Sequence, residues 1–281
     1  MKVKEIQAKS VLVKTKLPGA DFVINPYVGC SHACVYCYAR FMKRFTGHNE
    51  PWGSFVDVKI NTPEILKKQL KHLKQRTYHV LLSSVTDSYQ PIEKKCKLTR
   101  KILQIFLDYL QFEIEIITKS DLVLRDLDIL KKLRKVRVVF SLGVSDDKIA
   151  GFIEPGASLP SKRIKALGKI HEAGIKTSAF ISPILPGLTD FNKTFSQLKG
   201  KVDEVFGETF NPRGANFTNL ALVLKSRFPK LLPEYKKIFL APHRSGAGFT
   251  DDHQEYLKKT KKDFYQTAKK YHLPVWNFFT H

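Results

Sequence analysis

The sequence predicts an α/β fold, a partial (β/α)6 barrel of the TIM type carrying a helical C-terminal extension. Two patterns lead there. Six apolar, β-rich runs alternate with amphipathic helical stretches, the order that a parallel sheet with covering helices requires. The chain is also 281 residues long, enough for a sizeable core and at the upper edge of a single domain.

Taken in order, the strand runs fall at residues 22–28, 78–83, 112–118, 136–142, 176–181 and 202–206. Each is short and rich in Val, Ile, Phe and Leu, as strands buried on both faces are. Helical periodicity fills the intervals at 62–73, 98–110, 122–133 and 161–173, and Gly174 closes the last as a helix stop. No repeat, low-complexity linker or composition break interrupts the chain before about Asn211, where PRGAN reads as a loop. Residues 1–210 are therefore the barrel core, with 211–281 an extension packed on it. The extension reads as helices ending in the apolar HLPVWNFFTH. Its Trp276, Phe278 and Phe279 are open to two readings, stacking on bases or docking onto the core, and burial favours docking.

Composition narrows the function classes. No apolar stretch approaches the roughly 20 residues of a membrane span, and the N-terminus MKVKEIQAKSVLVK lacks the apolar run of a signal peptide. A cytoplasmic protein is expected. Four cysteines, three of them clustered, suit a reducing compartment. Lys and Arg number 48 against 26 Asp and Glu, a net charge of +22. Such an excess attracts polyanions without specifying recognition, so nucleic acid is the expected partner, although lysines on outer helix faces give the same count.

The chemistry concentrates in GCSHACVYC, which places Cys30, Cys34 and Cys37 within eight residues. Thiolates are the standard ligands of iron–sulfur clusters, and a CxxxCxxC triplet supplies three, one fewer than a [4Fe-4S] cluster has irons. The iron left open can bind a small molecule directly. The alternative is a structural zinc site, which needs a fourth ligand and usually shows paired CxxC elements. His32 and Cys96 are the candidates for it, one awkwardly placed between two cysteines and the other distant in KKCKLTR.

Four ordered stretches make a family resemblance specific: NPYVGCSHACVYCYAR (25–40), SSVTDSYQPIEKKCKLTR (83–100), ITKSDLVLRDLDIL (117–130) and ISPILPGLTD (181–190). Together they resemble the radical S-adenosylmethionine (SAM) proteins related to spore photoproduct lyase, often labelled DNA repair photolyase-like. The resemblance runs from about Asn25 to Asp190 and is loose beyond. It implies a radical SAM barrel with a [4Fe-4S] cluster on Cys30, Cys34 and Cys37 and SAM on its open iron. Reductive cleavage of SAM to a 5′-deoxyadenosyl radical is implied with it, as is an electron donor such as a flavodoxin or ferredoxin.

Active sites of parallel barrels gather at the C-terminal ends of the strands, and the shared stretches fall there. The resemblance puts Tyr36 and Tyr38 near the cluster and the adenine, although both could simply fill the barrel mouth. A carboxylate and hydroxyls after the second strand can hold the ammonium of SAM, which selects Thr86 and Asp87; capping of the following turn is the other reading of Asp87. Lys119 of TKS and Ser141 belong by resemblance to the cofactor site. Arg163 and Glu154 either lie near the cofactor or pair on the surface.

One departure matters. Spore photoproduct lyase has a hydrogen-donating cysteine at the end of the second strand, and aligning VTD places Ser84 there. A serine O–H bond is too strong to quench a carbon radical, so dimer reversal by that route is not expected; Cys96 could substitute, although an inert thiol is the simpler reading. The sequence thus leads to a radical enzyme acting on nucleic acid, with two alternatives: a radical enzyme acting on a metabolite, peptide or protein, and a non-catalytic cluster-binding protein.

Overall fold

The computed structural model describes residues 1–74, 76–212, 216–240 and 250–280. The chain opens with β1 (Lys2–Ile6), β2 (Val13–Lys14), β3 (Phe22–Ile24) and β4 (Tyr27–Val28), then β5 (Phe55–Lys59), α1 (Thr62–Lys71) and β6 (Tyr78–Leu82). There follow α2 (Glu93–Cys96), α3 (Leu98–Phe106), β7 (Phe112–Thr118), α4 (Leu127–Leu130), β8 (Val136–Ser141), α5 (Asp147–Ile153), α6 (Pro160–Glu172) and β9 (Lys176–Ile184). The last elements are α7 (Phe191–Leu198), β10 (Glu204–Thr209), α8 (Asn216–Arg227), α9 (Leu232–Leu240), α10 (Asp251–Lys270) and β11 (Val275–Phe279).

The main sheet runs β11-β10-β9-β8-β7-β6-β3-β2. Every pairing from β3 to β11 is parallel, and β2 lies antiparallel on the β3 edge. Strands β3, β6, β7, β8, β9 and β10 are the six expected ones, and together they form an open (β/α)6 barrel. β7 shows the logic: FEIEIIT buries every second side chain and half-covers the rest. Helix α6 starts at Pro160, where a missing N–H costs nothing, and gives way to Gly174 at φ +76°.

Several expectations change. The predicted run 22–28 is two strands, because Pro26 has no N–H for a ladder and the Asn25 carboxamide turns aside to bind the end of β6. Residues 122–133 form only a 3-10 turn, Asp121–Asp126, followed by the single turn of α4. The buried Asp126 side chain explains this: it takes Arg100 Nη1 at 2.9 Å, Arg125 Nη2 at 2.7 Å and the Tyr89 hydroxyl at 3.1 Å. Arg125 continues to the fully buried Glu93 at 2.6 Å, which also accepts from Tyr27. Much of the shared wording around 93–100 and 123–128 therefore encodes a buried ionic frame. A small sheet, β1-β5-β4, was not anticipated, since KVKEI is exposed along nearly its whole length.

The extension also needs correction. Its end is a strand, β11, paired parallel with β10, so that the barrel sheet gains a seventh parallel strand from beyond residue 211. An edge strand leaves a row of unpaired amides, and the β-favouring VWNFF covers it. Phe278 is buried against Phe264, with centroids 5.1 Å apart, and Trp276 packs on Phe206 at 5.0 Å beneath Arg137. Docking thus prevails over base stacking for Phe278, whereas Trp276 rests one edge on Phe206 and stays 45% exposed. Residues 213–215 of the PRGAN loop lie outside the described residues. Among the described residues, no helix is long and apolar enough to cross a membrane.

Phe264 of α10 is fully buried between Phe191, Phe195 and Phe278. Phe264→Ala should cost about 3–5 kcal/mol, read as a lowered urea midpoint of the whole barrel; a loss confined to the extension would show that the tail folds apart from it.

Candidate active site

The cysteine loop hangs between β4 and the 3-10 turn Tyr38–Phe45, at the end of the barrel where β6, β7 and β8 terminate. A loop this irregular cannot satisfy its own backbone, so its neighbours do so. Thr86 donates its hydroxyl to the Gly29 carbonyl at 2.6 Å, and Gln90 accepts from Ser31 N–H at 2.9 Å while donating to Gly29 at 3.3 Å. From the other side, Val35 N–H reaches the Ile153 carbonyl and Gly156 N–H the His32 carbonyl, at 2.9 and 3.0 Å. Arg40 closes the loop on the Cys34 carbonyl at 3.3 Å. Two of the four non-glycine residues with positive φ among those described lie here, Ala33 at φ +53° and Ser83 at φ +76°.

Cys30 and Cys34 are buried and Cys37 nearly so. Burial pushes all three thiols up, Cys34 to about 12; Asp87 adds to the effect at Cys30, and the thiols reinforce one another. Three thiolates in such surroundings need a cationic partner, which bound metal supplies. The donors fit an iron–sulfur cluster, being all sulfur and three in number. A further fit comes from Trp52, whose indole N–H is buried without a nitrogen or oxygen partner and acts on Cys37. Among the described residues, no three His, Cys, Asp or Glu side chains converge to hold a single metal ion. His32, considered as a fourth ligand, turns Nδ1 toward Asp87 Oδ2 at 3.4 Å, and burial lowers its pKa. Cys96 packs instead beside Tyr27, Val58 and Leu98.

The other expected residues divide into two groups. Tyr36 and Lys119 face the loop. Lys119 Nζ lies 5.7 Å from the Tyr36 ring centroid and its charge favours the thiolates of Cys34 and Cys37. The Tyr36 hydroxyl donates to Glu154, Glu154 pairs with Arg163, and Arg163 Nη1 donates to the Ser141 carbonyl at 2.6 Å. Both members of that pair are buried, so the surface reading of Glu154 and Arg163 is wrong. Burial opposes the Glu154 charge, but Arg163, Lys119 and Tyr36 outweigh it and hold its carboxyl below the ordinary value.

Thr86, Asp87 and Ser141 already have protein partners. Asp87 accepts from Thr118 Oγ1, Tyr89 N–H and Lys119 N–H, each at 2.8 Å, so it does cap the following turn. The Ser141 hydroxyl donates to Ser182 O at 2.9 Å. Tyr38, next to Cys37, is more than half exposed and donates its hydroxyl to the Ser84 carbonyl. Sequence reasoning missed Asn25, Gln90, Trp52 and Gly156. The first two lie inside the shared stretches, whereas Trp52 and Gly156 carried no signal, since only folding brings them to the loop.

The Radical SAM superfamily model matches residues 24–196, so the chain belongs to that superfamily of enzymes. An uncharacterized protein of Methanocaldococcus jannaschii is 43% identical over 211 residues, covering 75% of this chain and 78% of its own. Spore photoproduct lyase of Bacillus subtilis is 26% identical over 178 residues, 63% of this chain and 49% of that protein. The fold is shared with a structure of spore photoproduct lyase complexed with dinucleoside spore photoproduct, at a TM-score of 0.71 and 19% identity, over 99% of this chain and 82% of the other. Membership of the superfamily implies a [4Fe-4S] cluster and SAM.

A Cβ on Gly156 would stand 2.0 Å from the Ser31 carbonyl oxygen. Gly156→Ala should therefore displace the cysteine loop and lower iron and sulfide incorporation on reconstitution, measured per chain; full incorporation would show that the loop tolerates the shift.

Proposed function

We propose that this radical SAM enzyme acts on nucleic acid, in DNA repair or base modification. The observation that carries the substrate class is the net charge of +22, which draws in polyanions. The fold shared with a lyase complexed with a dinucleoside supports the same reading. An outward flip of the target base, at a cost of a few kcal/mol and least for a lesion, would bring it to the barrel mouth.

In this reading Cys30, Cys34 and Cys37 hold the cluster and leave one iron for SAM. Together the bound pair supplies one-electron reductive cleavage of the sulfonium and a radical able to abstract hydrogen. An electron donor such as a flavodoxin or ferredoxin feeds it. Lys119 sets positive charge toward the loop, where it can pair with the cofactor carboxylate, and Tyr36 and Tyr38 border the adenine. Thr86, Asp87 and Ser141 contribute mainly by position: Thr86 holds the loop, Asp87 orders Lys119 through its backbone, and Ser141 receives Arg163. Ser84 stands where the lyase has its hydrogen donor, so the hydrogen returned to product comes from elsewhere or is not returned at all.

The test is anaerobic incubation of the reduced, reconstituted enzyme with SAM and deuterated oligonucleotides, damaged and undamaged. Deuterium should enter 5′-deoxyadenosine, and Cys34→Ala should abolish its formation. Oligonucleotide affinity should fall by orders of magnitude between about 50 and 200 mM salt, as counterion release requires for six or more phosphate contacts. Unlabelled 5′-deoxyadenosine with a flat salt response would move the substrate to a metabolite, peptide or protein.

Lys119→Ala should leave cluster assembly intact and weaken SAM binding roughly tenfold or more, the scale for losing a charge-assisted hydrogen bond. Equilibrium binding to the reconstituted enzyme reads this, and an unchanged Kd would remove Lys119 from the cofactor site.

A further inference from the structure

The 3-10 turn Tyr38–Phe45, YARFMKRF, leaves the cysteine loop one residue after Cys37 and buries only Ala39. Phe41 is 43% exposed and Phe45 67%. Large rings this exposed and this close together are unusual on a soluble surface and mark a place of contact. Arg44 stands over both, its guanidinium carbon 5.6 Å from the Phe41 centroid and 4.7 Å from that of Phe45. The rings themselves meet edge to face at 6.5 Å.

Along the chain the charge beside the rings has one sign, and the carboxylate that acts on the turn from elsewhere is Glu208 of β10, at Tyr38. Between Val35 and Asn49 the sequence has no acidic residue, whereas Arg40, Lys43 and Arg44 each add a positive charge. The next acid along the chain, Glu50, is paired with Lys2 and His48. The turn is also tied to the barrel mouth, because the Tyr38 hydroxyl donates to the carbonyl of Ser84 at the end of β6. A partner for this surface must offer flat π faces and negative charge together. Single-stranded or unpaired nucleic acid does both, since bases stack on aromatic rings whatever their sequence and phosphates pair with arginine.

We propose that Phe41, Arg44 and Phe45 form a stacking platform for unpaired bases, which leads a nucleic-acid strand to the barrel mouth. The platform rests on the nucleic-acid reading above and gives it a location. Because Arg44 already lies against both rings, the platform is set before the strand arrives. A base sliding onto Phe45 keeps the guanidinium within reach of the adjoining phosphate.

The experiment is fluorescence anisotropy of the reconstituted enzyme with a labelled single-stranded oligonucleotide, a fully paired duplex and a duplex carrying a mismatch, across a salt series. Phe41→Ala/Phe45→Ala should weaken single-strand and mismatch binding by about tenfold or more while leaving the salt slope unchanged. Arg44→Ala should reduce the slope by about one. Phe45→Trp should keep the affinity and add a fluorescence signal, beyond that of Trp52 and Trp276, which the oligonucleotide quenches. Both rings are exposed, so the double alanine variant should unfold at the wild-type midpoint. Wild-type binding with an unchanged double variant overturns the platform alone. A wild-type enzyme that binds no oligonucleotide overturns both the platform and the reading beneath it. Loss of affinity for an acidic polypeptide equal to the loss for the oligonucleotide overturns it in favour of a protein-docking surface.

Discussion

Burying three thiols in a loop without regular structure is the demand around which this molecule is organised. Such a loop has neither helix nor sheet to satisfy its amides and carbonyls, and buried polar groups left unpaired are costly. The remedy comes from two directions. Thr86 and Gln90, after β6, hold Gly29 and Ser31, while the connection after α5 supplies the Ile153 carbonyl and the Gly156 amide. Each contact joins chain segments more than fifty residues apart. The loop is thus rigid because the barrel is, and its thiols are held in a geometry that local sequence could not maintain.

The barrel mouth is in turn kept in place by two buried ionic systems. Glu93, Arg125, Asp126 and Arg100 bind the segment after β6 to the turn after β7. Glu154 and Arg163 join the α5–α6 connection to Tyr36 and to the end of β8. Buried pairs of this kind add little net stability over apolar packing, but removing one partner is severe because the other charge is stranded. Their value here is positional. Each fixes where a strand-end segment sits relative to the cysteines, and the second also sets a carboxylate and a guanidinium close behind a residue that borders the thiols.

How much of this could be read in advance varied with the range of the interaction. Cys30, Cys34 and Cys37 announced themselves through spacing, and the strands at 78–83, 112–118 and 136–142 through apolar composition. Glu154 and Arg163 gave no sign of burial, because their partner Tyr36 is over a hundred residues away in sequence and only the closed barrel removes them from water. The same reason hid β11: VWNFF has strand propensity, but its role depends on the open edge of β10. Residues 122–133 misled because their apolar period is helical, while the carboxylate of Asp126 is drawn inward by two arginines and cuts the helix short.

Short-range information in the chain was therefore sufficient for the alternation of strands and helices, the clustering of three cysteines in one loop, the radical SAM family and the strong positive charge. The family rests on the resemblance of four ordered stretches, and the others depend on residue type and spacing alone. Which neighbours hold the loop, which charges are buried and where Phe41 and Phe45 emerge beside the mouth were settled by the packed molecule. Contacts between distant segments exist only after the sheet has curved, and burial and exposure are properties of that closed surface.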